Sequence, residues 1–321
     1  MQIPDFDVAE WYRRRTFESR SLDLEAAAWA KADQGLSVSV VLPAYNEAPT
    51  IGDVIDAVMS LAGVLVDEVV VLDGGSTDAT PEVAADRGAR VHTDIGAFPD
   101  LGPALGKGDA LWRSLSVTSG DIITFVDTDI RNPSPIFVSG LVAPLITTPQ
   151  IELVKAFYDR PIELNGTLHP AGGGRVTELL ARPLLNLFWP ELSGLVQPLS
   201  GEYAGRRELL ESIPFSTGYG VEIGMLIDTL GRRGADAIAQ VDIGQRIHRN
   251  QDITALSRMA FGVAQAALRR LPDAGRATFP DLPTAYRQFQ RDADDTVNLL
   301  EAGQIEIIER PPMVEYRATA P

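Results

Sequence analysis

The chain contains no cysteine, which excludes a disulfide framework and any thiolate metal site. It has only three lysines, Lys31, Lys107 and Lys155, so arginine carries almost all of its positive charge. No apolar stretch reaches the roughly 18 residues that a membrane-spanning helix requires. The first residues, MQIPDFDVAEWYRRRTFESR, have no apolar signal-peptide core. The expectation is a soluble, cytoplasmic protein without a membrane partner. A formal net charge of −16 argues against a nucleic-acid surface, because phosphate backbones are held by Lys and Arg. An acidic chain that handles an anionic small molecule must concentrate its cations locally or recruit a metal.

What is present is an ordinary globular composition, 45% hydrophobic and 22% charged over 321 residues. That length supports one large domain, or a domain with extensions. Residues 1–35 mix charge with Trp11, Tyr12, Phe17 and Trp29 and read as an amphipathic helical arm. Strands and helices then alternate. SVSVVLP (37–43), DEVVVLD (67–73), ARVH (89–92) and DIITFVD (121–127) read as strands, separated by helices over 50–61, 76–88 and 106–118. Continuous apolar strands between helices indicate an α/β fold with a mostly parallel sheet covered on both faces. Residues 36–150 are thus expected to form a nucleotide-binding unit and 151–250 a second, substrate-binding part. In the second part IELVKAFY (151–158) reads as a strand, while 172–188, 201–213 and 220–234 read as helices. AIAQVDIGQRIHR (237–249) reads as an edge or antiparallel strand. Residues 251–321 read as a helical extension (251–270 and 284–302) with a short strand or tail.

Parallel sheets bind ligands beyond the carboxyl ends of their strands. Here those ends are PAYNE, DGGSTD and DTD, all polar or glycine-rich. Asp127 and Asp129 are two residues apart, so an extended backbone turns both carboxylates to one face. Two hard oxygen ligands suit Mg²⁺ or Mn²⁺ shared with a nucleotide's phosphates. A solvated turn also accommodates such a pair, but its place at a buried strand's end favours the metal. GKG (106–108) is not a Walker phosphate loop, since Leu101 and Gly108 stand where glycine and Ser or Thr are required. Lys107 nevertheless opens a helix against its dipole, which suits an anionic ligand. Gly172–Gly174 and Arg175 precede an apolar helix. Free backbone N–H groups there, with Arg175 and Thr177, make an anion cradle, although a flexible hinge fits the same glycines. His248 lies between Arg246 and Arg249 at a strand's end, and Glu222 follows two glycines in GYGVEIG. A histidine standing alone is more often structural than a ligand, and an acidic residue at a helix start is often there only for the dipole.

PAYNE, LDGGSTDAT and VDTD together resemble the nucleotide-sugar domain of a GT-A glycosyltransferase. GKGDALWRSL, GGGRVTELLARPLL, PLSGEYAGRRELL, GYGVEIGMLIDT and AIAQVDIGQRIHRN narrow the resemblance. They are similar to glucosyl-3-phosphoglycerate synthases and their mannosyl-transferring relatives, from about Ser37 to Asn250. That resemblance implies a retaining, metal-dependent enzyme moving a hexose from a UDP- or GDP-sugar to 3-phosphoglycerate. It implies a donor pocket of Pro43, Ala44, Tyr45, Glu47, Gly75, Ser76, Lys107, Asp127, Thr128, Asp129 and Tyr219. Gly174, Arg175, Val176, Thr177 and Asn250 would hold the acceptor. Asp129 and His248, supported by Asp127, would hold Mg²⁺ or Mn²⁺. Asp129, Glu222 and Arg246 would carry the chemistry, Glu222 facing the sugar and Arg246 neutralising diphosphate charge. A homodimer is likewise implied. Where the glucosyl enzymes carry PALNE this chain has PAYNE, which leaves uracil against guanine, and glucose against mannose, open. A polyprenol-phosphate or polysaccharide glycosyltransferase shares the first three motifs and is the alternative, although neither membrane helices nor a lipid-facing segment is evident.

Overall fold

A computed structural model describes residues 6–159, 162–164, 167–169, 174–247, 253–273, 275, 285–291 and 297–319. Its centre is an eight-stranded sheet, and four strands come from residues 36–150: β2 (Val38–Ala44), β3 (Glu68–Asp73), β4 (Arg90–Thr93) and β5 (Ile122–Phe125). The N-terminal arm supplies β1 (Thr16–Glu18), and the second half supplies β6 (Leu153–Asp159), β9 (Tyr203–Arg206) and β11 (Ile238–Gln245). Two further strands, β7 (Ile162–Leu164) and β8 (Thr167–His169), pair only with each other. The order across the sheet is β1-β11-β6-β9-β5-β2-β3-β4. Every pairing is parallel except those of β9, which runs antiparallel between β5 and β6.

Burial on both faces explains the unbroken apolar strands. Alternate residues feed opposite layers. Val40, Leu42 and Ile122 pack into one core with Ile55, Leu141 and Ile146. Val41, Ile123 and Phe125 pack into the other with Trp112, Leu115 and Leu226. The N-terminal arm is anchored through Trp11, which is buried and donates from Nε1 to the Ala235 carbonyl at 3.0 Å. Gly194 is needed beneath it, because a Cβ there would stand 2.7 Å from the indole.

Several expectations require correction. The arm holds two helices, Val8–Arg15 and Leu24–Gln34, but also β1, which is too short to show an alternating pattern. The segment 201–213 is not one helix: β9 occupies its first half, and only Arg207–Ser212 is helical. Leu209 and Leu210 give this stretch an apolar cluster, and the sheet gap between β5 and β6 overrides helix propensity in the residues before it. β11 is neither antiparallel nor at the edge, since it lies parallel between β1 and β6. The helix expected over 284–302 is instead an antiparallel hairpin of β12 (Ala285–Arg291) and β13 (Val297–Gln304). Among its described residues the C-terminal extension is therefore helical only at Ile253–Arg270 and Met313–Thr319.

The last described residues strap back over the helix Lys107–Val117. β14 (Glu309–Arg310) pairs with β10 (Phe215–Ser216), and Arg310 forms an ion pair with the fully buried Asp109 at 2.7 Å. Trp112 sits under this strap between Phe98 and Tyr316, each ring centroid 5.0 Å away, and donates to the Pro311 carbonyl at 2.8 Å. Trp112→Ala removes the whole aromatic contact from a closed core. It should cost about 3–5 kcal/mol, read as a lower urea midpoint at unchanged slope. An unchanged midpoint would show that the strap holds without it.

Candidate active site

The ends of β2 and β3 are tied together before any ligand is considered. Asn46 takes a left-handed φ of 55°. Its backbone N–H donates to Ser76 Oγ at 2.9 Å, and its side-chain oxygen accepts from Thr77 N at 2.8 Å. Asp73 accepts from the backbone N–H groups of Gly75 and Ser76, both at 3.0 Å. Thr128 donates to the Pro43 carbonyl at 2.9 Å, joining the end of β5 to the end of β2. These bonds shape one wall of a cavity of about 600 Å³.

The charged floor comes from four segments. Lys107 opens the helix Lys107–Val117, and its neighbours are glycines because the backbone at Ser216–Thr217 crosses there. A Cβ on Gly108 would overlap the Ser216 carbonyl. Lys107 Nζ lies 2.6 Å from Asp127 Oδ1 and 3.3 Å from Glu222 Oε1. Burial alone would lower its pKa, but Asp127 and Glu222 outweigh this and hold the ammonium well above its usual range. Arg246, just past β11, reaches Asp127 Oδ2 at 3.0 Å and Asp129 Oδ1 at 2.8 Å through the same Nη2. Its Nε stands 2.8 Å from Glu202 Oε1. Burial pushes the Asp129 carboxyl up; Arg246 opposes this and neighbouring Asp127 adds to it.

Beneath the floor is Lys155, buried in β6. Its Nζ lies 2.5 Å from the Ser200 carbonyl oxygen and 4.4 Å from the centre of the Tyr203 ring. Ser200 precedes Gly201, a position where any Cβ would strike the Asp127 carboxylate at 2.2 Å. Desolvation pushes the Lys155 amine down to about 7, with Lys107 also lowering it and Glu222 acting in the other direction.

The opposite wall carries Gly174, Arg175, Val176 and Thr177. Gly174 has φ 79°, a conformation that suits glycine, and Thr177 begins a five-residue π-helical turn ahead of the helix Arg182–Phe188. One cavity therefore holds two carboxylates on one side and a glycine-led helix start on the other, with cations between them.

Residues 39–211 match the profile of glycosyl transferase family 2. The chain is 49% identical over 295 residues to the glucosyl-3-phosphoglycerate synthase of Mycolicibacterium smegmatis, covering 92% of this chain and 93% of that protein. The chain belongs to the glucosyl- and mannosyl-3-phosphoglycerate synthase family. A crystal structure of mannosyl-3-phosphoglycerate synthase from Rubrobacter xylanophilus superposes with a TM-score of 0.88 at 42% identity, covering 96% of this chain and 98% of that one. The Mycobacterium tuberculosis glucosyl-3-phosphoglycerate synthase, in complex with Mn²⁺, UDP-glucose and phosphoglyceric acid, gives 0.81 at 46% identity over 94% and 99% of the two chains.

Set against this synthase fold, most of the expected site residues share one cavity. Pro43, Ala44, Tyr45, Glu47, Lys107, Asp127, Thr128, Asp129, Gly174–Thr177, Tyr219, Glu222 and Arg246 all line it. Gly75 and Ser76 do not form part of its lining; Ser76 is engaged by Asn46 instead. His248 and Asn250 lie outside the described residues. The donor set of Asp127 and Asp129 fits a hard divalent cation, two carboxylates that converge on the same Arg246 Nη2. Among the described residues no third His, Cys, Asp or Glu gathers with them.

The apolar wall residues that were not anticipated include Leu256, Met259 and Val263 on the helix Ile253–Arg270. Their i, i+3, i+7 spacing reads as an ordinary core face, so the sequence held no signal for a cavity wall. Glu202 and Lys155 were also missed, because neither a buried strand lysine nor a glutamate read as helical carries a motif.

Lys155 has a pH consequence. Unfolded, its amine titrates near 10.5, and folded near 7. Between those values the unfolded chain binds more protons, so this residue makes stability rise with pH, by up to about 1.4 kcal/mol per pH unit. Lys155→Met removes that slope. Urea unfolding at pH 7 and pH 9 should show wild-type stability gaining on the variant; a constant difference would refute the assignment.

Proposed function

We propose that this synthase-family chain transfers a hexose from a nucleoside diphosphate sugar to the hydroxyl of 3-phosphoglycerate with retention of configuration. The supporting observation is that carboxylates, cations and the Gly174–Thr177 cradle face one cavity. The relatives' substrates agree with that pairing of a diphosphate donor and a phosphorylated acceptor. Pro43, Ala44, Tyr45 and Glu47 form the nucleoside side, and Tyr219 and Glu222 the sugar side. Glu222, held by Lys107, accepts hydrogen bonds from sugar hydroxyls. Arg175, Thr177 and the backbone N–H groups after Gly174 hold the acceptor's anionic end, with Asn250.

In the reaction the bond from C1 of the sugar to the diphosphate oxygen breaks. The acceptor oxygen bonds to C1, and its proton leaves with the diphosphate. Negative charge grows on the leaving group, where Arg246 and Lys107 are already placed and desolvated. A divalent cation held by Asp129, Asp127 and His248 would add Lewis-acid stabilisation of the same charge. Such preorganised charge acts without waiting for water to reorient.

The division into a donor-binding unit (36–150) and an acceptor-binding unit (151–250) is part of this reading. Charged donor and acceptor do not cross bilayers unaided, which supports a cytoplasmic enzyme; no helix among the described residues is long and apolar enough to span one. A homodimer is our reading of the exposed apolar side chains Trp29, Leu179 and Leu187, at 70%, 78% and 70% exposure, and solution mass measurement would decide it.

The test is a donor matrix of UDP-glucose, GDP-glucose and GDP-mannose, each with 3-phosphoglycerate and Mg²⁺ or Mn²⁺. Turnover with at least one donor is expected, and none with any would end the proposal. In the active combination, Arg175→Ala should raise the KM for phosphoglycerate about 10- to 100-fold, the loss of one charged hydrogen bond, with a smaller change in kcat. Unchanged phosphoglycerate kinetics would remove Arg175 from the acceptor site.

A further inference from the structure

Arg246 is almost wholly buried, and a buried cation requires a counter-charge that never leaves. Its contacts divide into two kinds. Outward, Nη2 meets Asp127 and Asp129, the carboxylates that the proposed reaction commits to a metal. Inward, Nε stands 2.8 Å from Oε1 of Glu202. Glu202 is completely buried, and its other oxygen accepts a 2.6 Å hydrogen bond from Tyr158 Oη. Its backbone is pinned as well, since its carbonyl accepts from Ala156 N at 3.0 Å. The Tyr158 ring lies 5.6 Å from the guanidinium. Nothing that binds in the cavity can take Glu202, so this partner alone stays constant through a catalytic cycle.

We infer that Glu202 is the positioning residue of this site, a fixed anchor that grips Arg246 from beneath the sheet ends so that Nη2 can pass from Asp127 and Asp129 to the donor's diphosphate. The charge pairing supports it. Lys107 already neutralises Asp127 at 2.6 Å, and Glu202 neutralises Arg246, which leaves Asp129 as the carboxylate released to a divalent cation. Without the charge on Glu202, Arg246 would have only the two aspartates as anionic partners among the described residues and would compete with the cation for them. This inference deepens the proposed function and rests on that reading.

The experiment is Glu202→Gln, which keeps shape and removes charge, followed by two readouts. Mn²⁺ titrated by electron paramagnetic resonance, without nucleotide and with UDP or GDP, should bind about tenfold more weakly to the folded variant. With the best donor, kcat should fall about 100-fold while the KM for phosphoglycerate moves less than threefold, a split that general loosening would not produce. Glu202→Asp keeps the charge but draws it back by one methylene. It should hold Mn²⁺ within threefold of wild type and still lose tenfold or more in kcat. Mn²⁺ affinity and kcat both within threefold of wild type in Glu202→Gln would overturn the inference. So would wild-type kcat in Glu202→Asp if the Gln variant does not fold, or failure of both to fold, which would mark Glu202 as structural only. Absence of turnover with every donor would strike the proposed function alone, since the Mn²⁺ and nucleotide titrations still decide the role of Glu202.

Discussion

A guanidinium shared between one buried glutamate and two aspartates at the strand ends organises this molecule's chemistry. Arg246 joins Glu202, Asp127 and Asp129, and Lys107 joins Asp127 to Glu222. Two cations thus hold four carboxylates that come from three separate segments of chain. In a protein of net charge −16, that cluster is where positive charge is spent, and it lies where an anionic leaving group would develop. Ion pairs of this depth stabilise only when the geometry is maintained from outside. The surrounding fold supplies that geometry.

β9 is the element that makes it achievable. As the one antiparallel strand between β5 and β6, it points its N-terminal end at their C-terminal ends. Ser200, Gly201 and Glu202 therefore arrive beside Asp127 without a long loop. The glycine lets the two backbones approach to a distance that no side chain would permit, and Lys155 pins the Ser200 carbonyl from below. A wholly parallel sheet would have presented a strand's carboxyl end at this place and needed a crossover to reach it.

The C-terminal strap does comparable work for Lys107. Asp109, in the first turn of the same helix, is held between Arg113 and Arg310, and Trp112 is enclosed by Phe98 and Tyr316. The position of Lys107 in the candidate site thus depends on residues some two hundred positions later in the chain. This coupling explains why the last helix and β14 belong to the enzyme's structure rather than to a dispensable tail.

The sequence by itself determined the parallel α/β core, because strands buried on both faces must be continuously apolar and their ligand-facing ends must be polar. SVSVVLP, DEVVVLD and DIITFV followed by DTD made both visible, and with them Asp127, Asp129, Lys107 and the Arg175 cradle. Local patterns say nothing about which strand fills a gap in a sheet. Reading Gly201–Ile213 and 284–302 as helices failed for that reason: strand pairing is a non-local interaction, and it overrides a local propensity worth a fraction of a kcal/mol per residue. Glu202 and Lys155 became functional candidates only once burial and neighbours were known, since a carboxylate's role depends on the charge it faces. The residue types of the candidate site were written in the motifs; the partners that hold them in place were decided by tertiary packing.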